Sequence, residues 1–292
     1  MTDTEVILVT GASGHVGGEL VAQLAATGHR VRAMTRKPHD LTVPSGVEVV
    51  AGDAADPASL TQAFTGVDRA FLMSAENVTA TRPTHLPALV DAAVRTGVRH
   101  LVLLSVFQGG EGGDVFADWW GHSERSVTES GLRTTVLRPG RFMSNALAWA
   151  PQIARGDDVV IPFAHRPTTS IDPADIAAVA AAALTDTAGH HDGGVHPLSG
   201  PAVMTPVEEL AAIATMVARP LRVVEPPLEQ IRAGMARGGM SEAAIDAALA
   251  RTLDSDAGTE VLPTVERVLG GPARPFAAWA EAHRDAFAGV RP

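Results

Sequence analysis

A short apolar strand, a glycine-spaced turn and an amphipathic helix succeed one another at the start of this chain. They read Val6-Ile7-Leu8-Val9-Thr10, then Gly11-Ala12-Ser13-Gly14-His15-Val16-Gly17, then a helix carrying Val16, Leu20, Val21 and Leu24 on one face. In a strand–turn–helix of this kind the first glycine permits the tight turn. The second lets backbone approach a pyrophosphate, and the third lets the helix pack closely on the strand. The helix start presents free N–H groups and a partial positive charge to an anion. A glycine spacing alone is weak evidence; the apolar strand before it and the amphipathic helix after it make it a dinucleotide-binding signature.

Alternation continues downstream. Strands are predicted at Arg30 to Met34, Val47 to Ala51, Ala70 to Met73, Arg99 to Leu104 and Thr134 to Leu137. Helices are predicted from His15 to Ala26, from Asp56-Pro57 to Phe64, from about Arg82 to Thr96 and from about Asp118 to Ser130. Strands and helices in turn imply a parallel sheet with right-handed crossovers. The fold class is α/β: a doubly wound parallel-sheet Rossmann fold with a smaller, mainly helical C-terminal substrate cap. Residues 1–140 form the nucleotide-binding core. Residues 141–292 hold the remaining Rossmann elements, interleaved with the cap. Helices expected there are Asp175 to Thr185, Pro206 to Ala218, Leu228 to Arg237, Ser241 to Thr252 and Pro275 to Phe287, with one last strand or two.

Composition removes several function classes. The formal charge of -10 opposes a nucleic-acid surface, which needs a basic patch. No apolar run approaches the roughly 18 residues that span a bilayer, and the chain runs directly into its first strand, so neither a membrane nor a signal peptide is expected. There is no cysteine, so thiolate chemistry and disulfides are excluded. The cytoplasm is the expected location, and a monomer or homodimer the expected state. His190 and His191 lie in a glycine-rich turn, and no metal role is assigned to them.

The second predicted strand ends in Met34-Thr35-Arg36-Lys37. An NAD site carries an acid there for the ribose 2′-hydroxyl, and none is present. Arg36 can grip a 2′-phosphate through its planar fork, with donors from Thr35 and Lys37, which points to NADP(H). Gly11, Ser13, Gly14, His15 and Val16 are the expected phosphate-loop contacts. Asp53 and Ala54, after the third strand, are expected near the adenine. Met73, Ser74 and Ala75, after the fourth, are expected along the adenine and ribose.

These segments resemble the NmrA-like branch of the atypical short-chain dehydrogenases, including its NAD(P)H:quinone-reductase-type members. The likeness extends through Leu137-Arg138-Pro139-Gly140-Arg141-Phe142-Met143-Ser144-Asn145, Ile171-Asp172-Pro173-Ala174-Asp175, Ser199-Gly200-Pro201 and the stretch from Gly270 to Trp279. The resemblance implies that the loop after the fourth strand, the segment around Ser105 and the segment from Pro139 to Asn145 contact cofactor or substrate. It implies too that the C-terminal helices close the substrate pocket.

The chain departs from ordinary short-chain dehydrogenases at one decisive point. It has no tyrosine, and Lys37 is its single lysine. The Tyr-x-x-x-Lys pair that protonates an alkoxide is therefore absent, and a lysine-dependent route is absent with it. Nicotinamide carries the hydride, while a protein supplies orientation and any proton. The reactions that remain need little acid help: hydride delivery to a quinone, an imine or iminium, or an enone. Asp118-Trp119-Trp120-Gly121-His122-Ser123-Glu124 occupies the helix where the pair would lie. His122 is the candidate acid by its ordinary pKa near 6.5, or else a helix-surface histidine. Glu124 is expected as a structural partner near the sheet. Ser105 is a candidate to bond a substrate carbonyl or a turn cap. Phe107, Trp119, Trp120, Phe142, Met143 and Asn145 are candidate substrate contacts, with core packing the favoured alternative for the two tryptophans. Two further functions fit the missing pair: a nucleotide-sensing regulator, or a biosynthetic tailoring enzyme with non-redox chemistry.

Overall fold

The computed structural model describes residues 5–73 and 85–288. Two compact units divide them: residues 5–73, 85–139 and 173–197 form the first, and residues 140–172 and 198–288 the second.

The first unit begins with β1 (Val6–Val9), α1 (His15–Ala26), β2 (Arg30–Thr35), β3 (Glu48–Ala51), α2 (Pro57–Phe64) and β4 (Arg69–Met73). It continues with α3 (Leu86–Thr96), β5 (His100–Leu104), α4 (Val115–Thr128) and β6 (Arg133–Pro139). The chain then forms α5 (Ala150–Arg155) and β7 (Asp158–Val160) in the second unit. It returns to the first for α6 (Pro173–Thr185) and for all but the last residue of β8 (Val195–Leu198). The sheet has seven strands in the order β3-β2-β1-β4-β5-β6-β8, and the pairings from β3 through β6 are parallel. This order reverses direction at β1, the switch point outside which doubly wound sheets bind ligands.

Burial explains why the strands read as unbroken apolar runs. All of Val6–Val9 and His100–Leu104 is buried, as expected when helices cover both faces of a parallel sheet. One core layer joins Leu8, Leu72, Leu101 and Leu103 of the sheet to Leu60 and Phe64 of α2 and to Leu89 and Val90 of α3. Local signals set the helix ends. Asp56 caps α2 by accepting from the Ala58 N–H at 3.0 Å, with Pro57 in the first turn. Gly28 follows α1 at φ +82. The helix expected from Asp118 starts earlier, at Val115, because Asp114 caps it by accepting from the N–H groups of Phe116 and Ala117, both at 2.9 Å.

One buried titratable group lies off the binding edge. His100 is 1% exposed, and its Nε2 lies 3.1 Å from Thr135 Oγ1. Thr135 donates its own hydrogen to the His191 carbonyl at 2.9 Å, so His100 donates from Nε2. Among the described residues its Nδ1 has no partner. Burial, reinforced by the nearby Arg133 guanidinium, lowers its pKa to about 4. The folded chain thus binds fewer protons than the unfolded one between that value and about 6.5. Stability from this residue is complete above pH 6.5 and is lost as pH falls toward 4, amounting to roughly 3 kcal/mol. His100→Gln, which keeps a donor for Thr135 but does not titrate, flattens the acid limb of a urea-unfolding pH series. An unchanged limb would rule His100 out as its cause.

The second unit adds α7 (Pro206–Met216), β9 (Arg222–Val224), α8 (Leu228–Arg237), α9 (Glu242–Leu253), α10 (Thr264–Leu269), α11 (Phe276–Ala282) and α12 (Arg284–Phe287). β7 and β9 form a two-stranded parallel sheet. The core gathers Trp149, Ile153, Val159, Leu210, Ile213, Phe276, Trp279 and Phe287. The α10 helix has no counterpart in the sequence reading, and the single helix expected from Pro275 to Phe287 is two, broken at His283. α7 opens with a capping box: Thr205 accepts from the Glu208 N–H, and Glu208 accepts from the Thr205 N–H at 2.7 Å.

Candidate functional site

The turn between β1 and α1 is shaped by what its glycines omit. Gly11 sits at φ +63, and the Met73 side chain fills the space that a Cβ would need. A Cβ on Gly17 would overlap the Gly11 carbonyl, which is backbone and cannot swing aside. Gly14 is the N-cap of α1, and among the described residues no side chain caps that helix; its first turn carries no acid. The first-turn N–H groups of a helix have no intrahelical partner, so a bound anion can accept from them. His15 and Val16 open the helix, the first exposed and the second buried, while Ser13 is exposed.

At the end of β2, Thr35 is half-buried and Arg36 and Lys37 are exposed. Thr35 Oγ1 accepts from the Lys37 N–H at 3.3 Å. Ser13, Thr35, Arg36 and Lys37 line one cleft, together with Asp40 and Leu41. Among the described residues neither Arg36 nor Lys37 forms an ion pair, so both cations are available to an external anion. The glycine cradle, the uncapped helix start and these two cations fit the pyrophosphate and 2′-phosphate of NADP(H).

Asp53 is exposed, and its Oδ1 accepts from the Ala55 N–H at 2.9 Å. One carboxylate oxygen thus holds the turn after β3, and Ala54 is half-buried beside it. Met73 ends β4, and its N–H donates to Thr10 Oγ1 at 2.8 Å. Ser74 and Ala75 lie outside the described residues. Pro139 is buried at the end of β6.

An ion-pair network joins the ends of β5 and β6 to α4. Ser105, at the end of β5 and 4% exposed, donates to Glu124 Oε1 at 2.5 Å. Arg138 grips the same carboxylate with both prongs of its guanidinium, Nε to Oε1 at 2.9 Å and Nη2 to Oε2 at 2.7 Å. Its third nitrogen, Nη1, reaches Glu111 at 2.6 Å. These carboxylates raise the Arg138 pKa, Glu124 most of all. Gly109, at φ +49, lies against the pair: a Cβ there would come within 2.5 Å of Arg138 Nε and Glu124 Oε1. Ser105 has one hydrogen, and Glu124 takes it.

Trp120 precedes Glu124 by four residues, the spacing of the missing Tyr-x-x-x-Lys pair. Trp119 and Trp120 are half-buried, with ring centroids 5.5 Å apart and planes tilted by 30°. Phe107 is half-buried. His122 is exposed. At about 100° per residue it stands roughly 200° around α4 from Glu124.

The remaining candidates belong to the second unit. Phe142 is half-buried and bridges to Ile171, Met143 is buried in the core, and Asn145 is exposed. A buried clamp fixes this segment: Arg141 donates to Glu209 at 2.6 and 2.8 Å, and Ser170 donates to Glu209 Oε1 at 2.6 Å. Sequence reasoning passed over Arg138, Glu111 and Asp40.

Comparison with known proteins supplies the family. The model of the family described as NAD(P)H-binding matches residues 11–187. A (4-alkanoyl-5-oxo-2,5-dihydrofuran-3-yl)methyl phosphate reductase of Streptomyces griseus is 39% identical over 287 residues, 97% of this chain and 99% of the relative. The NAD(P)H azoreductase of Xenophilus azovorans is 35% identical over 291 residues, again 97% and 99%. The NADPH complex of an Escherichia coli NADPH-dependent quinone oxidoreductase shares the fold, with a TM-score of 0.74 at 24% identity over 95% of this chain and 99% of that one. A glycine cradle with no room for a Cβ at Gly11 or Gly17 and relatives matched along nearly their whole length lead to one conclusion: the chain belongs to the NAD(P)H-binding family, in keeping with its NmrA-like motifs, and is an NAD(P)H-dependent oxidoreductase.

Proposed function

We propose that this chain is an NADPH-dependent reductase of a flat conjugated electrophile, a quinone, imine or iminium, or enone, and that it works without a protein acid at the reacting carbonyl. The observation that carries the reading is the commitment of Ser105. Its only hydrogen goes to a carboxylate that Arg138 grips with both prongs of its guanidinium, so it has none to give a substrate oxygen. With no tyrosine in the chain, a simple ketone would form an unprotected alkoxide, whereas a quinone or enone yields a delocalised anion that water protonates.

Bound NADPH supplies the hydride. The uncapped start of α1 would hold its pyrophosphate, and Arg36 with Lys37 would hold the 2′-phosphate. Phe107 and the pair Trp119 and Trp120 offer flat apolar faces for a planar acceptor. The Streptomyces relative supports this substrate class, since its named substrate is an oxo-dihydrofuran bearing an alkanoyl group, an alkene conjugated to carbonyls. The azoreductase name describes another conjugated acceptor.

The test is NADPH consumption against a panel of quinones, cyclic enones, imines and simple ketones. Turnover of one or more conjugated acceptors with none of the ketones is expected, and ketone reduction at comparable rates would overturn the reading. The exposed position of His122 supports its surface role, with water as proton source. His122→Ala accordingly keeps kcat within about twofold; a loss of 100-fold or more, the scale of a general acid, would make His122 the donor.

A further inference from the structure

The cleft at the end of β2 holds a carboxylate as well as two cations. Asp40 closes the short 3-10 turn Pro38–Asp40, whose backbone is pinned by the Asp40 N–H donating to the Lys37 carbonyl at 3.2 Å. Its side chain is exposed, and it lines the same cleft as Ser13, Thr35, Arg36 and Lys37. Asp40 forms no ion pair among the described residues, not even with Arg36 four positions away. A carboxylate left unpaired beside unpaired cations is open to a ligand, as they are.

The two kinds of group read different forms of one ribose. A guanidinium and an ammonium favour a 2′-phosphate. A carboxylate repels that phosphate and accepts from a free 2′-hydroxyl, the task an acid performs in NAD sites. In those sites the acid ends the second strand; here Thr35 and Arg36 stand there, and the acid arrives with the turn that follows. We infer that Asp40 is a specificity-determining residue that lets this enzyme use NADH as well as NADPH, by accepting from the NADH ribose and tempering the attraction of Arg36 and Lys37 for the 2′-phosphate. Two cations outnumber one anion, so NADPH remains the tighter ligand. The inference rests on the proposed use of Arg36 for NADPH.

The discriminating experiment titrates the full chain, its Asp40→Asn variant and its Arg36→Ala variant with NADPH and with NADH, following nucleotide fluorescence at fixed low salt. Asp40 is exposed and absent from any core, so the folded chain survives substitution, which the thermal unfolding midpoint checks. Asp40→Asn moves the two affinities in opposite directions: NADH weakens about threefold to tenfold and NADPH tightens by a similar factor, the scale of one solvent-exposed charge interaction. Arg36→Ala weakens NADPH about tenfold or more and leaves NADH within about twofold. If Arg36→Ala weakens NADPH while Asp40→Asn moves both nucleotides by less than twofold or in the same direction, the role of Asp40 is overturned and the NADPH reading stands. If Arg36→Ala leaves NADPH untouched, the NADPH reading itself falls.

Discussion

Alanine at Gly17 weakens NADPH binding roughly a hundredfold, the equivalent of about 3 kcal/mol. The added methyl group has nowhere to go, since it would overlap the Gly11 carbonyl and crowd the Ala12 Cα at 3.1 Å. Both are backbone atoms of the turn that must cradle the phosphates, so relief moves the turn itself or lifts α1 from β1. Gly11 cannot adjust freely, because it is held at φ +63 with Met73 packed against it. Fluorescence titration of Gly17→Ala against the parent, with circular dichroism to confirm the fold, checks this. An affinity within threefold of the parent would show that the turn tolerates displacement and that the close approach has no part in binding. Alanine at Gly28 is a useful control: a Cβ there meets no atom within 4 Å, and the only cost is its positive φ.

Removing Glu124 has the second large effect. Glu124→Ala costs about 3 kcal/mol of stability, because it strips a bidentate partner from Arg138 and the hydrogen-bond acceptor from Ser105. Among the described residues Arg138 then keeps only Glu111, whose side chain is 72% exposed and whose pairing water screens. Glu124→Gln retains the shape and one acceptor oxygen for Ser105, so its cost falls to about 1 kcal/mol. Urea unfolding of both variants reads the difference. A loss below about 0.5 kcal/mol for Glu124→Ala would mean that the network is incidental. With the network dissolved, Ser105 regains a free hydroxyl, so Glu124→Ala also provides the natural background in which to look for new ketone reduction.

The fold was legible where its physical signals are local. Continuous apolar strands, the glycine spacing and caps such as Asp56 each declare themselves within a few residues, and the doubly wound sheet follows from their alternation. The start of α4 was misjudged because Asp114 follows glycines that read as loop, while its cap acts only on the next turn. The second unit was less readable: β7 and β9 have three residues each and lie far apart in sequence, so no periodicity announces their pairing. The phosphate cradle was legible because backbone geometry demands glycine. The Ser105, Glu124 and Arg138 network was not, because it joins β5, α4 and β6, and a hydrogen bond between residues 19 positions apart leaves no spacing signature. Asp40 escaped notice for a different reason: an acid one turn beyond the expected strand end breaks the pattern that is used to find it.

The central claim is that hydride passes from NADPH to a conjugated acceptor with no protein acid taking part. Its most direct test is a single-turnover experiment in which enzyme-bound NADPH is mixed with a quinone, with NADPH deuterated at the transferring position, in H2O and in D2O, from pH 6 to 8. A clear slowing with the deuterated nucleotide, a solvent effect near unity and a flat pH profile are expected. A rate that follows a single ionisation near neutrality, with a large solvent isotope effect, would contradict it and reveal an acid group at work. Tight NADPH binding with no oxidation by any conjugated acceptor would contradict it more deeply, leaving a protein that binds the nucleotide without using it.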